Sequence, residues 1–405
     1  MFDESRCTGA ALRTVFCGIP MRTPFLLSSG PLSYGAAGMI RAHNAGCGAV
    51  VTKTIRLGRA INPVIHIASI SGASLINCEK WSDADRLVWY EREIPAAKAA
   101  GVQVIASVGH TPTEARAIVE DAERAGACAI ELVSYAEETL LPMLDEAKKR
   151  VRIPVICKLS ANWSDPVATG LRCLAHGADG LCGVDSVGPG LSIDIERAAP
   201  RLHGANGLGW VSGGAIRPLA LAVDAGIASA RPGFAGLYGS GGCMEARDAV
   251  EFFMAGCSAV GVCSVGILRG VEAIEAMCYE LSALLGRLGY KDIAAVRGAA
   301  LPALPAKDEV RKLAFSYRAE PDATGRGCTK CRRCVRACCY EARTLEENGM
   351  RVDEARCRSC GVCASVCPTG ALTAHPLPQD AEDLARAAEA AEFERRIRAE
   401  SGAGA

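Results

Sequence analysis

Two cysteine runs near the end of the chain restrict what that end can fold around. From Cys328 the sequence reads CTKCRRCVRACCYEA, and from Cys357 it reads CRSCGVCASVCPTGA. Both are Cys-x2-Cys-x2-Cys-x3-Cys, and Pro368 follows the second. Of the 21 cysteines in 405 residues, nine lie between positions 328 and 367, while the other 12 are scattered singly. A stretch this short and this rich in thiols organises around something the sulfurs bind, because it lacks the apolar residues for an ordinary core.

The spacing is that of a bacterial two-cluster ferredoxin domain, whose thiolates hold [4Fe-4S] centres. Three cysteines of each run wrap one cubane and the fourth reaches to the other. By that rule Cys328, Cys331, Cys334 and Cys367 hold one cluster, and Cys357, Cys360, Cys363 and Cys338 hold the second. A pair of zinc sites is the competing reading, since Cys-x2-Cys pairs also suit zinc. Four closely spaced cysteines per run, with the terminal proline, favour iron and sulfide. Cys339 stands where the motif usually has proline, and its role stays open. Arg326, Lys330, Arg332, Arg333, Arg336 and Arg343 surround the first run against one acid, Glu341. They form either a dock for an acidic electron partner or an ordinary solvated surface.

The remaining cysteines read as small hydrophobes of a reducing compartment. The first residues, Met-Phe-Asp-Glu-Ser-Arg, have neither a basic flank nor an apolar run behind them, so a cytoplasmic location is expected. The longest apolar stretch, residues 255–268, is too short to span a bilayer, and no membrane association is expected. Forty-five basic and 45 acidic residues cancel, which argues against nucleic acid as a partner. Half the residues are apolar, enough for a large core.

Ahead of the cysteine runs, short apolar runs alternate with helical patterns. Residues 24–30, 48–55, 102–108, 128–134, 154–159, 180–185, 234–238 and 259–265 are eight strand candidates, with helical intervals such as 112–125 and 166–176. The α/β beat predicts a (β/α)8 TIM barrel, with a long insertion over 56–100. The expected division is a barrel over 1–310, a ferredoxin domain over 311–376 and a helical tail over 377–405. Barrel chemistry sits at the carboxyl ends of the strands. There stand Lys53 and Thr54 after the second, Lys158 at the fifth, Asp185 and Ser186 after the sixth, and Ser212, Gly213 and Gly214 beyond it. Gly241 and Gly242 follow the seventh strand, and Cys263 and Ser264 lie in the eighth. Glycine turns before helices make a phosphate seat, and buried lysines suit the electron-rich edge of a reduced flavin.

With these segments in view, residues 25–306 resemble the dihydroorotate dehydrogenase family of FMN barrels. With the ferredoxin tail, the chain is most similar to iron–sulfur subunits of bacterial dihydropyrimidine dehydrogenases. The resemblance is carried by SSGPLSYG near residue 28, VVTKTI, INCEKWSD, IEL at 130–132, KLSANWSD, VDSVGPGL, VSGGAIRPLAL and the long GLYGSGGCMEARDAVEFFMAGCSAVGVCSVGIL. It implies that FMN lies against Ser29, Lys53 and Thr54, with Lys158 facing N1 and O2. It further implies that Ser212, Gly213 and Gly214 follow the ribityl path, that Gly241, Gly242, Cys263 and Ser264 seat the phosphate, and that substrate stacks under Asn77, Asp185 and Ser186. A homodimer is expected by the same likeness.

Departures from the family bear on the substrate. Where relatives have Glu-Leu-Asn-x-Ser-Cys-Pro-Asn, this chain has Glu131-Leu132-Val133-Ser134-Tyr135-Ala136-Glu137-Glu138, and Asp185 replaces an asparagine. Valine neither donates nor accepts, and an ionised carboxylate only accepts. With the family's proton-donating cysteine gone, Tyr135 and Ser134 become the candidate catalytic residues. Glu79 and Lys80, in INCEKWSD, suggest a charged or carboxylate-bearing substrate. No Gly-x-Gly-x-x-Gly appears, so a separate FAD and NAD(P)H subunit or a ferredoxin is expected to exchange electrons with the chain. The leading expectation is an oxidoreductase moving electrons among two [4Fe-4S] clusters, FMN and the C=C or C–C bond of a small molecule. An electron-transfer module without an organic substrate is one alternative, and a flavin-free barrel binding a phosphorylated ligand is another.

Overall fold

A computed structural model describes residues 1–304, 315–319, 327–346, 349–376 and 381–400. The chain divides into two compact units, Met1–Ala303 and Leu304–Ala405. The expected boundary at 310 and the start of the tail at 377 lie outside the described residues.

The first unit is a closed eight-stranded parallel barrel. Its strands are β1 (Phe25–Leu27), β2 (Ala49–Val51), β3 (Val104–Gly109), β4 (Ala129–Val133), β5 (Val155–Lys158), β6 (Gly180–Cys182), β7 (Leu237–Gly239) and β8 (Ala259–Val262). Each pairs with its sequence neighbours, and β8 closes on β1 with Val260 opposite Phe25. All eight candidate runs supply a strand, because parallel strands covered on both faces read as unbroken apolar segments. The first candidate shortens to Phe25–Leu27, so Ser28, Ser29 and Gly30 leave the ladder and become free to shape a site.

Helix ends follow local chemistry. Thr111 caps Pro112–Ala125 by accepting from the Glu114 amide, and Gly126 ends that helix at φ 108°. Asp165 caps Pro166–Ala175 in the same way. A hairpin, Thr14–Phe16 with Ile19–Met21, contributes Phe16, Ile19 and Met21 to the barrel's inner cluster beside Tyr238, Leu26 and Ile156. Phe16 meets the Tyr238 ring edge-on at 5.4 Å.

The long insertion has a structural role. Its strands Ile67–Ser71 and Ser74–Asn77 join Leu208–Gly213 and Val187–Leu191 in an antiparallel four-stranded sheet. This sheet brings Asn77, Trp210, Ser212 and Gly213 to the cavity formed at the carboxyl ends of the strands.

In the second unit, strands Arg343–Glu346 and Gly349–Val352 pair, as do Phe315–Ala319 and Leu372–Pro376. Each cysteine run contributes one short helix, Arg333–Arg336 and Val362–Ser365, and the two pack together. The terminal helix is Ala381–Glu400.

Candidate active site

The strand ends deliver their polar residues to one cavity of about 990 Å³. Ser29, Lys53, Thr54, Asn77, Ser134, Tyr135, Lys158, Asp185, Ser186, Ser212, Gly213, Gly241, Gly242, Cys263 and Ser264 all line it. Gly214 does not: its amide donates to the Ala73 carbonyl at 2.7 Å, as part of the turn that leaves the four-stranded sheet. A cavity of this size holds a flavin and a small ring together.

Gly241 and Gly242 have φ of 109° and 108°, where a side chain is strained. A Cβ on Gly242 would also stand 2.7–2.9 Å from Arg217 Cβ, N and Cα. The turn after β7 therefore presents bare backbone to the cavity, beside Ser264, whose hydroxyl bonds to Ser212 Oγ at 3.2 Å. Such a cradle fits a phosphate. At the cavity's buried side, Lys158 Nζ lies 3.4 Å from Asp185 Oδ1. Burial opposes the lysine's charge, but Asp185 and Glu131 outweigh it and hold the ammonium well above its ordinary value. Ser29, Thr54 and Ser107 form a hydroxyl chain, with 3.4 and 3.0 Å steps, along the wall. Phosphate cradle, buried cation and polar wall together fit FMN.

Glu131, on β4, accepts from the Tyr238 hydroxyl, while its other oxygen is buried without a partner. Burial pushes this carboxyl up to about 7, only partly opposed by Lys158. Lys53 Nζ and Glu79 Oε2 are 2.6 Å apart, with side chains 8% and 9% exposed. Glu79 is thus half of a buried ion pair in the cavity wall. Lys80 is exposed, its ammonium 5.9 Å from the Trp81 ring centre.

The altered loop after β4 separates the two candidate donors. Ser134 Oγ donates to the Ala136 carbonyl at 2.9 Å and bonds to the Thr139 hydroxyl, which holds the first turn of the helix Glu137–Lys148. Tyr135 is exposed into the cavity and stacks on His110, ring centres 4.0 Å apart. The His110 amide donates to Glu114 Oε2 at 2.7 Å, and Arg56 bonds both oxygens of that carboxylate. Burial, reinforced by Arg56, drives the His110 ring down to about 4, so it is neutral at pH 7. Val133, at the substituted asparagine position, is apolar lining.

His110, Trp210, Ser240 and Gly261 line the cavity without having been singled out in the sequence. His110 was reachable by the rule that exposed Lys53, for it directly follows β3. Trp210 was not, because nothing in the sequence reveals that the insertion folds over the barrel mouth.

In the second unit, Cys328, Cys331, Cys334 and Cys367 line a single cavity, the set drawn together by the three-plus-one rule. Among the described residues no three metal-binding side chains converge on one point. Four thiols among the lining residues are the kind of donor set an iron–sulfur cubane takes. The Cys331 thiol is drawn below its ordinary value by the Arg333 amide. Burial raises Cys367, but the Thr369 hydroxyl and the amides of Thr369, Ala371 and Gly370 outweigh it. The Cys338 sulfur accepts from the Ala342 amide at 3.3 Å.

Comparison with known proteins places these observations among relatives. The family described as dihydroorotate dehydrogenase matches residues 126–285, and the 4Fe-4S binding domain matches residues 350–373. The catalytic subunit of dihydroorotate dehydrogenase B (NAD(+)) from Desulforudis audaxviator is 30% identical over 299 residues, 70% of this chain and 95% of the relative. Proteins of the same description from Methanothermobacter thermautotrophicus and Pyrococcus abyssi are 28% and 29% identical, over 70% of this chain and 96% and 97% of theirs.

Proposed function

Since this chain belongs to the dihydroorotate dehydrogenase family, we propose that its barrel cavity adds or removes hydrogen across a C=C or C–C bond of a small planar, pyrimidine-like ring. The protein is a flavin and iron–sulfur oxidoreductase of the CH–CH class. When bound, FMN supplies hydride exchange and the clusters supply one-electron exchange.

The residues divide the work by position. Gly241, Gly242, Cys263 and Ser264 seat the phosphate, and Ser212 and Gly213 follow the ribityl chain, with Gly214 withdrawn. Ser29, Lys53 and Thr54 lie against the flavin, and Lys158, kept charged by Asp185 and Glu131, faces its electron-rich edge. Asn77, Asp185 and Ser186 bind substrate. Tyr135 delivers the proton to the carbon opposite the one that takes hydride, and the nearby Asp185 carboxylate favours the protonated phenol. Ser134 is the weaker candidate because its hydroxyl is engaged in the turn. Cys328, Cys331, Cys334 and Cys367 hold one cluster, and Cys357, Cys360, Cys363 and Cys338 the other.

The observation that carries this reading is the arrival of Lys158, Gly242 and Asp185 from three different strands in one cavity. It is tested by FMN and iron analysis of the purified protein, followed by anaerobic mixing of the reduced protein with uracil, thymine, orotate and other enones. Absence of flavin would overturn it.

The relatives are named as catalytic subunits of an NAD(+) enzyme. With no dinucleotide-binding glycine motif in this chain, a separate protein carrying FAD and NAD(P)H sites, or a ferredoxin, is the proposed electron partner. Rapid NADPH oxidation by the chain alone would contradict this. Among the described residues no helix is long and apolar enough to cross a membrane, and a cytoplasmic location is part of the proposal. One observation favours a module without organic substrate: Val133 offers no polar anchor, and Glu137 and Glu138 belong to a helix turn.

A further inference from the structure

We propose that Glu131, buried beneath the cavity floor, acts through Lys158 as the charge-balancing group of the flavin: its carboxyl gains a proton when the flavin is reduced and releases it on reoxidation. The inference rests on the reading of the cavity as a flavin site and adds a residue that touches neither flavin nor substrate.

Side chains inside a barrel form layers, because alternate residues of each strand point inward. Ala129 on β4 and Ile156 on β5 belong to the inner cluster. Two residues further along these strands stand Glu131 and Lys158, in the next layer toward the carboxyl ends. Lys158 lines the cavity, whereas Glu131 lies under it, wholly buried. One carboxylate oxygen reaches across the interior to accept from the Tyr238 hydroxyl on β7, and the other has no hydrogen-bond partner among the described residues.

The groups around Glu131 leave its charge to Lys158. On β3, Ser107 is its register neighbour and offers only a hydroxyl, which bonds to Thr54. Cys182 on β6 stays neutral, since burial and then Glu131 itself push its thiol up. Asp185, after β6, also faces Lys158, but its side chain is 41% exposed and accepts from the Ser186 amide at 2.8 Å. Lys158 is therefore the cation that Glu131, Asp185 and the flavin edge share. Negative charge arriving at that edge disfavours a nearby carboxylate. Water and an amide support the charge of Asp185; Glu131 has no water, and burial has already raised its carboxyl to about 7. Glu131 thus takes the proton. Two electrons from the clusters and one proton go to the flavin, and one further proton joins the Glu131 carboxylate. On reoxidation hydride passes to the ring, and Glu131 returns its proton to solvent.

The test is a redox titration of the flavin-loaded protein at several pH values, read from flavin absorbance. Between about pH 7 and 8 the wild-type flavin is expected to take up about two protons per two electrons, and E131Q about one. The infrared difference between reduced and oxidised protein is expected to gain the C=O band of a protonated carboxyl, absent in E131Q. Y238F keeps the ring but removes the hydrogen bond to the ionised carboxylate, so the two-proton window moves to higher pH. A proton count unchanged in E131Q, a carboxyl band that survives in it, or a window unmoved in Y238F overturns the inference alone. If wild type and E131Q alike hold no flavin, the flavin-site reading fails and takes the inference with it.

Discussion

The imidazole of His110 lies face to face with the phenol of Tyr135, planes 15° apart and centres separated by 4.0 Å. The pair ties the end of β3 to the loop after β4. His110 is fixed from behind through Glu114 and Arg56, so the stack gives Tyr135 a preferred place despite its exposure.

Tyr135 is accordingly the proton donor to test first. Y135F is expected to lower turnover by about 10²- to 10⁴-fold, the usual worth of a positioned general acid, with flavin content unchanged. H110A should cost less, because it removes the support and leaves the hydroxyl. Unchanged turnover in Y135F would remove Tyr135 from the mechanism.

Stability should depend on pH through two groups of opposite sense. The Glu131 carboxyl sits at about 7 in the folded protein, raised by burial from an ordinary value of 4.5. Its contribution is therefore complete below that ordinary value and is lost as pH rises to 7. His110, lowered from 6.5 to about 4, contributes above 6.5 and loses that contribution as pH falls toward 4. In urea unfolding, E131Q is expected to gain on the wild type between pH 5 and pH 8. A difference independent of pH would contradict the assignment.

Two neighbouring glycine positions should respond differently to alanine. G242A combines a φ of 108° with contacts of 2.7–2.9 Å to Arg217, so a loss of about 1–3 kcal/mol and reduced FMN retention are expected. At Gly214 the nearest atoms to a new Cβ lie at 3.5 Å, and the amide already bonds to Ala73. G214A should keep its flavin. Thermal unfolding and flavin release measure both.

The cysteine assignment makes a separable claim. C367A should lose the cluster of Cys328, Cys331 and Cys334, although it lies in the other run, and iron content should fall from about eight per chain to about four. C339S should keep both clusters, as read by iron analysis and by the spectrum of the reduced protein.

Much of this organisation is legible in the sequence because the signals are local. Eight apolar runs mark strands that parallel pairing buries on both faces, and Lys53, Lys158 and Asp185 are found by looking at strand ends. Long-range relations are not legible. The partnership of Lys53 with Glu79, 26 residues apart, depends on an insertion folding back over the barrel mouth. The engagement of Ser134 with Thr139 depends on where the helix Glu137–Lys148 starts, and no strong capping residue marks that start in the sequence. Gly214 reads like its neighbour Gly213 in sequence, yet the turn directs its amide to Ala73 and away from the cavity.

The most direct measurement is anaerobic. Holoprotein is reduced fully at its flavin and clusters, then mixed with a panel of unsaturated rings including uracil, thymine and orotate, while flavin absorbance and product mass are followed. At least one ring should reoxidise the flavin and gain two mass units. Electron exchange between clusters and flavin with no ring reduced across the panel would contradict the account and identify an electron-transfer module.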